Sequence, residues 1–174
     1  MVREPYHECN YLLKTLNQYK MKKIFFIVAI IVTSLVQMSF AQSPTAESTA
    51  ILTQYYAVKD ALVSGNSSLT AVKAIELIKA ITDADLPEAN RVALLKDADL
   101  IAKSKDLKKQ REYFSDLSEN MFALAKAQKL SSDLIYKAYC PMAKASWLSS
   151  SSTIKNPYYG SSMLTCGKVV ETLK

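Results

Sequence analysis

The chain has 174 residues, with 22 Lys and Arg against 16 Asp and Glu, a formal net charge of +6. That length suits one domain, and over residues 42–174 the imbalance shrinks to +3, too mild to argue for a nucleic-acid partner. The same stretch contains no histidine, which removes the commonest general base and the commonest metal ligand, and with only three glycines in the chain there is no glycine-rich phosphate loop.

Residues 21–41, MKKIFFIVAIIVTSLVQMSFA, have the layout of a secretory signal peptide. Lys22 and Lys23 make a positive start, an apolar run follows, and Ser39-Phe40-Ala41 supplies small residues before a predicted cleavage ahead of Gln42. A spanning helix needs roughly 20 apolar residues; this run is shorter, so no stable membrane span is expected after cleavage. Residues 1–20 precede a complete signal peptide and read as an upstream extension from a start assigned too early. His7 and Cys9 fall there and are set aside. The expected product is residues 42–174, exported to the periplasm or secreted.

Within it, Ile51, Leu52, Tyr55, Val58 and Leu62 recur at helical spacing, and Gly65-Asn66 ends that helix. Ser67 or Ser68 is the expected cap of a second helix, with Leu69, Val72, Ile75, Ile78 and Ile81 as its apolar stripe. Pro87 suits the first turn of a third, carrying Val92, Leu94, Leu95, Ala98 and Ile101. A fourth begins near Asp106, with Leu107, Phe114, Leu117, Met121 and Leu124 on its buried face. The basic run 103–111 reads as a solvated face. Beyond Gln128 the texture changes. Residues 134–138 suggest an extended segment, residues 149–153 a serine loop, and Asn156-Pro157 the start of a short closing helix. The predicted fold is therefore mostly α: a bundle of about four helices, then an irregular segment, 134–174, ending in a short helix.

That last segment holds the chemistry: Cys140, Met142, Met163 and Cys166. Pro141 biases Cys140 to an extended backbone, where residues two apart point the same way. Met163 and Cys166 share a face if their segment is helical. Two thiol–thioether pairs could thus converge on a soft ion, for which sulfur donors favour Cu(I). The competing readings are a disulfide, expected in an oxidising compartment, and ordinary core methionines. Tyr139, Trp147, Tyr158 and Tyr159 are candidate aromatic walls. With no histidine to act as base, a serine triad is excluded, Asp97 and Asp99 face different sides of a helix, and the chain is not expected to be an enzyme.

The string Tyr-Cys-Pro-Met-Ala (139–143), then Trp-Leu-Ser (147–149), then Ile-x-Asn-Pro-Tyr-Tyr-Gly-x-x-Met-Leu-x-Cys-Gly (154–167), resembles an uncharacterised domain family of exported Gram-negative proteins. Residues 51–66 and 110–118 fit the same resemblance. Such domains occur alone or at the C-terminus of periplasmic adaptors of Cus-type heavy-metal efflux pumps. The resemblance implies copper handling, with metal-efflux adaptor components as partners and Cys140, Met142, Met163 and Cys166 as the candidate ligands.

Overall fold

A computed structural model describes residues 45–174. The predicted signal peptide, its cleavage site and the upstream extension lie outside the described residues. Residues 45–174 belong to one compact unit.

Helix α1 is Ala46–Ser64. The Thr45 hydroxyl accepts from the Ser48 amide at 3.1 Å, satisfying one of the donors a helix start leaves free. Gly65, at φ 75°, closes it by turning into the left-handed region and donating back to the Ala61 and Leu62 carbonyls. All five apolar residues expected to face inward on α1 are buried.

Helix α2, Ser67–Asp83, is capped by Asn66, whose side chain accepts from Leu69 N. The cap lies one residue before the expected serines, because Asn66 follows Gly65 with an extended backbone ready to accept. The buried face also differs from expectation. Thr70, Ala74, Leu77 and Ile81 point inward, while Leu69, Val72 and Ile75 are 40%, 51% and 59% exposed. Small Ala74 and Thr70 let α2 approach its neighbours closely, and Thr70 bonds its hydroxyl to the Asn66 carbonyl at no cost in buried polarity.

Helix α3, Glu88–Lys103, starts just after Pro87 and buries Leu94, Asp97, Ala98 and Ile101, leaving Val92 exposed. Helix α4, Leu107–Ala127, is capped by Asp106 and buries Phe114, Leu117, Met121 and Leu124 as expected. Each helix packs on the next, as short connections require. Gln110, fully buried, ties the junctions together by donating to the carbonyls of Ser67 and Ser104 at 2.9 and 2.8 Å. The basic run before it is solvent-exposed at Lys103, Lys105, Lys108 and Lys109.

The four-helix, mostly α reading holds; the tail is more regular than expected. Strands β1 (Ile135–Cys140), β2 (Ala145–Ser149) and β3 (Lys168–Leu173) form an antiparallel sheet in the order β2-β1-β3. The final segment is thus a strand in place of the predicted closing helix. Val169 and Val170 are β-branched and suit a pleated surface, and β3 finds a ready partner in β1. A single 3-10 turn, Gly160–Met163, is all that the helix expected from Pro157 becomes. The sheet packs on α4 through β2, every residue of which is buried.

Tyr55 joins the two layers. Its ring is fully buried against Phe114, centroids 5.3 Å apart. Its hydroxyl pairs with Ser118 of α4 at 2.8 Å and accepts from Leu148 N of β2 at 3.0 Å. Burial pushes the phenol's pKa well above its ordinary value, so it stays a neutral donor and acceptor.

Candidate soft-metal and thiol site

Strand β1 ends at Cys140, and residues 141–144 turn the chain back so that Cys140 pairs with Ala145. Pro141 starts the turn; Lys144, at φ 53°, completes it. Cys166 arrives from the other side, between the 3-10 turn and β3. The two sulfurs stand 3.4 Å apart. Both are free thiols, Cys140 fully buried and Cys166 partly exposed.

Asn156 holds the second thiol in place. It is fully buried and bonds chiefly within its own segment. Its amide nitrogen donates to the Cys166 carbonyl at 2.7 Å. Its side-chain oxygen accepts from Tyr158 N at 2.8 Å and Tyr159 N at 3.3 Å, and its backbone N donates to the Leu164 carbonyl at 2.8 Å. Close backbone approach does the rest. A Cβ on Gly160 would lie 2.8 Å from the Val63 carbonyl oxygen, and one on Gly167 would lie 2.8 Å from the Trp147 ring. Both glycines have φ in the left-handed half of the map, +57° and +141°.

The electrostatics separate the two thiols. Burial pushes Cys140 up, but its polar surroundings (the Ala143 backbone, the Cys166 thiol, the Asn156 side chain and the Met142 backbone) outweigh it, and the net direction is down from the ordinary thiol value. Cys166 is pushed up, first because its own proton bonds the Cys140 sulfur, then by burial and the neighbouring negative charge.

The structure brings two of the four predicted sulfurs together. Met142 sits in the turn after Cys140 and Met163 in the 3-10 turn before Cys166, whose N donates to the Met163 carbonyl at 3.1 Å. Both thioether side chains face solvent, 61% and 40% exposed. Among the described residues no three His, Cys, Asp or Glu side chains gather in a group that could hold a metal ion. The aromatic expectations divide. Trp147 is 1% exposed and belongs to the core, packed edge-on to Tyr158 at 6.1 Å. Tyr158 and Tyr159 line a cleft of about 600 Å³ with Arg111 and Ser115 of α4 and Ala143 of the turn. Tyr159 also donates to the Met142 carbonyl at 3.3 Å. Tyr139, on β1 between Ser146 and Lys168, is partly exposed.

Asn156 escaped sequence reasoning as a site residue. Its place before a proline marked it as a helix cap; nothing in that pattern announced that its side chain would reach a carbonyl ten residues on.

Residues 51–133, a little under half of the chain, match a family described as "Protein of unknown function (DUF3347)". The match spans the helical layer from within α1 to just before β1, and the cysteine pair lies beyond it. No curated protein matches the chain, and no solved structure does.

Proposed function

We propose that the reduced Cys140–Cys166 pair binds a soft cation, Cu(I) first among them, and that the domain serves an exported, non-enzymatic role as a metal chaperone or buffer beside an efflux system. The carrying observation is the 3.4 Å approach of two thiols on separate segments, each with a methionine within three residues. Two thiolates on one tetrahedral metal at metal–sulfur distances of about 2.3 Å stand about 3.8 Å apart, so an ion requires only a small opening. The donor set favours the same ion. It is sulfur alone, and thiolate and thioether select Cu(I) over harder metals. Cys140 and Cys166 would hold the ion, and the exposed Met142 and Met163 side chains have freedom to close over it. The link to efflux adaptors and to the periplasm is supported by the tail motif's resemblance and by the signal-peptide pattern.

The test is a Cu(I) titration of the reduced full-length chain, carrying Cys9→Ser, against a competing chromogenic chelator. One tight equivalent is expected. Cys140→Ser or Cys166→Ser should abolish it, and Met142→Leu or Met163→Leu should weaken it by about tenfold, one modest ligand's worth. Equal affinity across the four variants sinks the reading.

A further inference from the structure

The same two cysteines differ in a way that metal binding does not use. Cys166 is partly exposed, whereas Cys140 is 0% exposed, enclosed by the turn, Asn156 and Cys166 itself. An outside sulfur can therefore reach only Cys166. Once Cys166 is modified, the Cys140 sulfur stands 3.4 Å from it, within reach to resolve the adduct. We infer that the pair is also a dithiol–disulfide couple with a fixed order of attack, Cys166 taking the mixed disulfide with an incoming disulfide and Cys140 resolving it.

This goes beyond the metal reading and does not depend on it. In the first step the Cys166 thiol gives its proton to solvent and its sulfur attacks a substrate disulfide, R–S–S–R. A Cys166–S–S–R bond forms and RS⁻ leaves and is protonated. In the second step the Cys140 thiol gives its proton to solvent and its sulfur attacks the Cys166 sulfur. The Cys140–Cys166 bond forms, and the second RS⁻ leaves and is protonated. The dithiol is oxidised, the substrate disulfide is reduced to two thiols, and no other oxidant is needed. The substrate class is a disulfide accessible enough to meet a surface thiol, and a small peptide disulfide such as oxidised glutathione serves as the probe. Bond formation must draw the sulfurs from 3.4 Å to about 2.05 Å. The 141–144 turn lies at the surface, where that adjustment meets little packing.

The experiment uses the full-length chain with Cys9→Ser, reduced and freed of reductant and metal, then mixed with oxidised glutathione and quenched at intervals with acid. Peptide mass spectrometry should find a transient glutathione adduct on Cys166 alone, followed by the internal disulfide. Cys140→Ala should trap the adduct, and Cys166→Ala should take up glutathione about tenfold more slowly or worse, as a buried thiol does. An adduct on Cys140 in the parent chain, or undiminished uptake by Cys166→Ala, overturns the order of attack. A parent chain that keeps both thiols, while an unstructured peptide of residues 139–167 reacts, overturns the couple. Early-time adduct mapping in the parent decides the order even if Cys140→Ala fails to fold. The Cu(I) titration is made on the thiols and is unaffected by either outcome.

Discussion

Asn156 positions one half of the thiol pair by saturating a loop's backbone from within. With its side chain cut back to Ala, the buried Tyr158 amide and the Cys166 carbonyl lose their partners. Each buried polar group left unpaired costs about 1–3 kcal/mol. Asn156→Ala should therefore lower the unfolding free energy by roughly 2–4 kcal/mol, read by chemical denaturation. A loss below about 0.5 kcal/mol, the scale of an ordinary surface change, would show that Asn156 does not organise the segment. At this scale the sequence was informative about which atoms matter and less so about their contacts. The four sulfurs were visible as types and spacings. That the thiols meet while the thioethers stay outside depends on a turn of four residues and on β3 pairing with β1, neither of which local spacing encodes.

Among the elements, α1 and α4 were legible because their apolar residues outnumber the alternatives on any other face. On α2, Leu69, Val72 and Ile75 formed the more obvious stripe, yet the helix turns Thr70, Ala74, Leu77 and Ile81 inward. Hydrophobic spacing ranks faces by size of side chain; packing can prefer the face that lets backbones approach. The α3–α4 contact contains a buried carboxyl, Asp97, which accepts from Asn120 at 2.7 Å. Burial, chiefly, raises its pKa, with Asp116 adding to the effect and Asn120 opposing it. A raised carboxyl pKa means that the fold favours the protonated form. The associated stability is present below the unfolded value of Asp and lost as pH rises through the folded one. Asp97→Asn should accordingly raise the denaturation midpoint at neutral pH, and the gain should vanish as pH falls through that window. A variant less stable than the parent at neutral pH would mean that Asn120 depends on the charge. Strand β3 was read as helix because its two valines and Leu173 fit either period over so short a run. Only the presence of β1 as a partner decides it.

At the scale of the molecule, the family match stops where the sheet begins, yet the helices do not close their own core. Tyr55, Phe114 and Ser118 face β2 and Tyr158 as much as they face one another. A chain ending at residue 133 should keep much of its helical circular dichroism and lose its sharp thermal transition, in the manner of a helical layer with unfixed packing. A truncated chain that melts as cooperatively as the whole would show that the sheet is an appendage. The tail also contains the chain's single tryptophan, Trp147, whose ring edge lies against Gly167, next in sequence to Cys166. Any change at the sulfurs that shifts this backbone by a few tenths of an ångström presses on the indole. Its fluorescence therefore comes from one place only, beside the thiol pair. Thiolate, disulfide and bound heavy ion all quench indole emission, so closure of the disulfide or uptake of an ion at the pair should be readable in Trp147 emission, without a label and in real time.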